Sequence, residues 1–149
     1  MVEVFDKRVN QLIVNKITLK TIKNDVFICL KRMIEYRFIW TDLYNLTREN
    51  SKIKVHFEGA YQERFKGYDF FFDYLNKKHI RRNFEFKKDS QYLIQRMISY
   101  SDTWLYNSFI YNININDQYI ELQSNNLLSM LYPYLTDSGK SGYNSLNIF

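Results

Sequence analysis

The reactive side chains of this chain are few. They comprise Cys29, the histidines His56 and His79, the carboxylate pairs Glu35/Asp42 and Glu58/Glu63, and a run of cations. A cysteine acts as a nucleophile only as thiolate, in electropositive surroundings. Cys29 stands between Ile28 and Leu30 and reads instead as a small buried hydrophobe. One cysteine and two histidines exclude an internal disulfide framework and a multi-cysteine zinc site, and leave little for a histidine-based metal centre. The carboxylate pairs have the spacing of helix-surface charges rather than of an acid–base dyad. HExxH, GxSxG, CxxC, phosphate-loop and kinase patterns are all absent. The residues therefore argue against an enzyme, and no cofactor is expected.

The cations gather in one place. Lys77, Lys78, Arg81, Arg82, Lys87 and Lys88 lie together with His79, opposed only by Glu85. Such a cluster can contact phosphates. It has no glycine-rich or stacking context, however, and a solvated loop after a helix C-terminus, where the dipole favours cations, explains it better. A net charge of +5 is modest for a nucleic-acid binder. Binding through residues 77–88 is thus the weaker reading.

The aromatic residues are more telling. Phe38, Trp40, Tyr44, Phe57, Tyr61, Phe65, Tyr68 and Phe72 follow closely on one another, and Tyr92, Tyr100, Trp104, Tyr106 and Phe109 crowd the next long segment. A bulky core accounts for them. So does a cavity between helices, lined by aromatic faces with a few hydroxyls and the His56 imidazole, as in sites for apolar small molecules. On the residues alone both remain open.

The elements that must position these side chains are helices. The 149 residues fit one domain, residues 1–149, with enough chain for a real core. Four glycines and one proline stand where average usage gives about 18 of the two together. That deficit disfavours turn-rich all-β folds and glycine-dependent nucleotide folds. Apolar spacing of three and four predicts helices over 2–15, 18–36, 38–49, 52–76, 89–111 and 118–131, with a short terminal helix to about 146. Thr18, Ser51, Asp89 or Ser90, Asn116 or Asp117, and Thr136 or Asp137 are the expected N-caps. Gly59 and Gly67 lie inside the long helix and suggest a close approach of another helix there. The segment 112–117 alternates with period two but is short and Asn-rich, and reads as a connector. Two adjacent apolar stripes on 89–111 mean burial on more than one side. One carries Leu93, Met97, Tyr100, Trp104 and Ser108; the other carries Ile94, Ile98, Ser101, Leu105 and Phe109. The expected architecture is an all-α bundle of six or seven helices. No stretch reaches the roughly 18 apolar residues of a membrane span. The N-terminus lacks the apolar core of a secretory signal, so a cytoplasmic protein is expected.

Four segments carry a family resemblance. Tyr36-Arg-Phe-Ile-Trp-Thr-Asp-Leu-Tyr-Asn-Leu-Thr-Arg-Glu-Asn50 resembles a segment of bacterial TetR-type transcriptional regulators, departing at Ser51, where the family often has proline. Leu75-Asn-Lys-Lys-His-Ile80, Asp102-Thr-Trp-Leu-Tyr106 and Leu131-Tyr-Pro-Tyr-Leu-Thr-Asp-Ser-Gly139 are similar to later segments, in the same order. The resemblance covers nearly the whole chain. It implies a C-terminal effector-binding and dimerisation domain, joined in the family to an N-terminal DNA-binding head. No helix-turn-helix pattern precedes residues 2–15, so DNA contact is expected only through a head missing from this chain. Carried over, the family's effector cavity lies between the helices over 18–36, 52–76 and 89–111. It would be lined by Met33, Trp40, Tyr44, His56, Tyr61, Phe65, Tyr68, Met97 and Tyr100 and would take a small apolar or aromatic effector. The family's four-helix dimer interface would fall on Trp104, Leu105, Ser108, Phe109, Leu127, Leu128 and Leu131, giving an isologous homodimer. The competing expectation is a ligand-free helical dimerisation module whose cavity is filled by its own aromatics.

Overall fold

Thr18 opens the first helix with a reciprocal cap. Its hydroxyl accepts from the Thr21 amide at 3.2 Å, and the Thr21 hydroxyl accepts from the Thr18 amide at 3.0 Å. The computed structural model describes residues 17–146. The helix expected over 2–15 lies outside the described residues. Seven α-helices follow in chain order: α1 Leu19–Glu35, α2 Arg37–Thr41, α3 Leu43–Glu49, α4 Ser51–Lys77, α5 Asp89–Ile110, α6 Asp117–Ser129 and α7 Asp137–Asn144. A 3-10 turn, Tyr132–Tyr134, precedes α7. Among the described residues the only β pairing is an isolated bridge between Arg81 and Leu135. The fold is all-α, as the glycine deficit and the apolar spacing predict.

Several boundaries differ from the expected ones. The helix expected over 38–49 is two short helices, α2 and α3, broken at Asp42. Neither buries a residue. Asn50, not Ser51, caps α4; its side chain accepts from the amides of Lys52 and Ile53. α5 starts at Asp89 without a side-chain cap. Asp89 itself is buried in the first turn, where the helix dipole favours a carboxylate, and accepts from the Tyr134 hydroxyl at 2.9 Å. Asn116 and Thr136 cap α6 and α7 as expected.

α5 is the central element. Leu93, Ile94, Met97, Ile98, Trp104 and Leu105 are almost wholly buried on it, each worth roughly 1.5–3 kcal/mol of apolar burial. α2, α4 and α6 pack on α5, and α1 packs chiefly on α6. One core cluster gathers Phe72, Leu93, Ile94, Met97, Ile98, Leu127, Leu128 and Leu131. A second gathers Leu30, Trp104, Leu105 and Ile120. Beside the second cluster Ser108 is fully buried, its hydroxyl bonded to the Trp104 carbonyl at 2.7 Å and to the Tyr119 hydroxyl at 3.0 Å.

The α4–α5 connection is bolted to the segment before α7. His79 takes a left-handed backbone, φ 58°, at the end of α4. The chain then turns back, with the Ile80 amide donating to the Leu75 carbonyl. The Thr136 amide donates to the Ile80 carbonyl at 2.9 Å, and the Arg82 amide to the Tyr134 carbonyl at 2.8 Å. Gly139 is required here, because a Cβ on it would lie 2.1 Å from the Ile80 carbonyl oxygen. At Gly59 the reverse holds. Nothing lies within 4 Å of a Cβ there, so the close helix approach expected at that glycine does not occur.

Candidate functional site

α4 and α5 build a wall of large side chains between them. Tyr61, Phe65 and Tyr68 follow at helical spacing on α4, with the Tyr61 and Phe65 rings 6.5 Å apart. Tyr68 continues the stack to the buried Phe72 at 6.0 Å. From α5 come Met97, buried, and Tyr100, half-buried. All five pack with the first core cluster. Met33 and Trp40 pack with the second, and Tyr100 belongs to both. Tyr100 thus joins seven of the nine expected liners into two adjoining groups.

The other two stand apart. Tyr44 is 76% exposed and offers no wall to an enclosed site. His56 is exposed, its ring set edge-on to Phe57 at 5.6 Å. The reason lies in the helix break at Asp42 and in the phase of α4. α3 packs on α4 but buries none of its own residues, and His56 sits on the outer face of the first α4 turns.

The Arg64–Asp102 pair set into this wall was not read from the sequence. Arg64 of α4 reaches across to α5, where it pairs with Asp102 at 2.6 Å and also donates to the Ser101 hydroxyl. The pair is under one third exposed at each end, so it works in a partly desolvated setting. Burial raises the Tyr68 hydroxyl pKa, with Arg64 pulling the other way. The Tyr100 hydroxyl donates to Gln123 of α6 and has Asn126 as a further partner. Burial is the main cause that pushes its pKa up to about 12. At the second cluster the Trp104 indole N–H donates to the Met33 sulfur at 3.3 Å, and Trp40 meets Phe57 edge-on at 5.8 Å. The wall therefore offers aromatic faces, two thioethers, three phenols and a paired guanidinium.

Two clefts open among the described residues. The larger cleft, about 900 Å³, runs between α1, the end of α4, α6 and α7, and none of the nine expected liners borders it. A smaller cleft of about 370 Å³ between α3 and α4 includes Tyr61 and Phe57.

The residues expected at a dimer interface are in the chain's own core. Trp104, Leu105, Ser108, Leu127, Leu128 and Leu131 are each at most 3% exposed, leaving nothing for a partner to cover. Only Phe109 of the seven is exposed. Apart from Phe109, both apolar stripes of α5 are taken up by packing within one chain. The outward face of α5 runs instead through Tyr92, Ser99, Thr103, Tyr106 and Ile110, spaced by three, four or seven residues, with Leu122, Asn126 and Ser129 exposed on α6.

The remaining reactive groups resolve as follows. Cys29 is exposed, not buried, because α1 turns Leu30 into the core instead. Glu58 pairs with Lys54 and Glu63 with Lys66 on the helix surface. Asp42 accepts from Asn45. Of the six clustered cations, two are structural. Arg81 is buried, donates to the Phe72 and Arg82 carbonyls, and stacks on Phe84. Arg82 donates to the Pro133 carbonyl and lies over the Tyr134 ring. Among the described residues no group of three or more His, Cys, Asp or Glu is placed to hold a metal ion, and no helix is long and apolar enough to cross a membrane.

A family model described as TetR, a bacterial transcriptional repressor, matches residues 5–143. No curated protein and no solved structure matches the chain.

Proposed function

The chain belongs to the TetR family of bacterial transcriptional repressors, and from that premise we propose that it is the effector-binding and dimerising part of such a repressor. The family is one of regulators, not of enzymes, and dimerisation and small-molecule effectors are its general properties.

One observation carries the reading. α5 has a use for each of its faces. Inward it presents Met97 and Tyr100 to the aromatic wall; outward it presents Ser99, Thr103, Tyr106 and Ile110. A ligand against the wall therefore touches the helix that meets a second subunit. A ligand preferring one α5 placement shifts the population of subunit arrangements by its differential affinity, and no further device is needed. DNA contact belongs to a helix-turn-helix head and not to residues 77–88, because Arg81 and Arg82 there are tied to backbone carbonyls. The effector is small, apolar or aromatic, with a polar group for Tyr68 or Tyr100.

The second reading, a ligand-free dimerisation module, draws on the Trp104–Met33 and Tyr100–Gln123 contacts, in which the wall satisfies itself. Thermal unfolding of the full chain with phenylnaphthylamine, an uncharged aromatic probe, separates the two. At 100 times Kd a probe that binds only the folded state adds about 2.7 kcal/mol. We expect such a shift, lost in Phe65→Trp, which fills the wall. No shift at any probe concentration leaves the dimerisation module.

A further inference from the structure

We infer that the cleft between α1, α4, α6 and α7 is a second ligand site, selective for a small amphipathic anion such as an aryl or acyl carboxylate. At about 900 Å³ it has the size of a small-molecule site. Its apolar surface comes from Leu19, Phe27, Tyr74 and Ile80, which suits a hydrocarbon or aromatic body. Its charge is one-sided. Among the described residues three lysines border it against one carboxylate, Glu121, and that carboxylate is already held by Lys23 at 3.4 Å. Lys20 and Lys78 are exposed and pair with no carboxylate among the described residues. The Lys78 ammonium lies 5.8 Å from the centre of the Tyr74 ring on the same wall, and an anionic head group completes the two cations.

A second observation points the same way. Gly142 lies inside α7 on the wall of this cleft. Its backbone is not left-handed, since no glycine among the described residues has positive φ. A Cβ there would make only ordinary contact, 3.9 Å from a Leu19 methyl. Glycine is less favourable than alanine inside a helix, and neither conformation nor packing demands it here. What its missing side chain leaves is room in the cleft. Gly139, one turn earlier, shows the contrast, because there the Ile80 carbonyl forbids any side chain.

This site is independent of the aromatic wall, which shares none of its lining residues. The test is fluorescence titration of the full chain with anilinonaphthalene sulfonate, a planar aromatic monoanion, alongside variants checked by circular dichroism. We expect saturable binding of one probe per chain that weakens with added salt. Lys20→Ala/Lys78→Ala weakens it on the order of tenfold, Gly142→Leu abolishes it, and Phe65→Trp leaves it unchanged. If Gly142→Leu does not fold, the lysine pair, exposed on the surface, decides alone. Absence of saturable binding overturns the proposal. So does binding indifferent to both the lysine and glycine changes, or binding lost in Phe65→Trp, which would put the probe at the wall.

Discussion

The Arg81 guanidinium lies 4.0 Å from the centre of the Phe84 ring, buried at the junction of α4 with the segment before α7. Its Nε donates to the Phe72 carbonyl at 3.1 Å, closing the end of α4 from the inside. A residue whose charge suggests a surface contact thus ties α4 to the loop that follows it. We expect Arg81→Ala to cost about 3 kcal/mol, since it orphans carbonyls and removes a stacked plane. Arg81→Lys should recover little, because an ammonium cannot stack or donate in a fork. Chemical denaturation of the three proteins measures both differences.

The two glycines of α7 should respond in opposite directions. Gly139→Ala drives a Cβ into the Ile80 carbonyl, 2.1 Å away, and should destabilise by about 1–3 kcal/mol. Gly142→Ala meets only open space and a distant methyl, and should stabilise by about 0.5–1 kcal/mol. Equal effects at the two positions would contradict the packing described here.

The Arg64–Asp102 pair ties α4 to α5 behind the aromatic wall. Each end is partly buried, so a double-mutant cycle with Arg64→Met and Asp102→Asn should give a coupling of about 1 kcal/mol. A coupling near zero would mean the helices are held by the wall alone.

Tyr100 makes stability depend on pH in the alkaline range. Burial favours its neutral phenol, pushing the folded pKa up to about 12 from the ordinary 10.0. Its contribution is therefore complete below pH 10.0 and lost as the pH rises towards 12. Tyr100→Phe should flatten part of that fall. Tyr68, Tyr134 and Tyr143 are also raised by burial and keep the rest of it. Unfolding free energies of both proteins across this range check the sign.

How far the sequence reaches is clear from these positions. Thr18, Asn116 and Thr136 announce helix starts because a short polar side chain before an apolar run has one good use. The break at Asp42 gives no such sign. The apolar spacing runs across it without glycine or proline, and only the placement of α2 on α5 separates it from α3. Periodicity showed that α5 is buried on two sides, but a stripe does not say whether its cover is the same chain or a second copy. Hence Trp104, Leu105 and Leu128 read as interface residues and are core. Seven of the expected liners fall in two adjoining groups because their helical phase was legible. Arg64 and Asp102 were missed because each is an ordinary surface residue on its own helix. Their pairing exists only once α4 lies against α5.

Sedimentation equilibrium of the full chain reads whether the outward face of α5 and α6 joins two copies. The native sequence should sediment as a dimer. A folded, helical monomer is expected for Thr103→Arg/Tyr106→Arg, since both residues are solvent-facing in one chain and two cations repel whichever of them meets which across a twofold axis. A native chain that stays monomeric at high concentration, or a double variant that remains dimeric, contradicts this pairing.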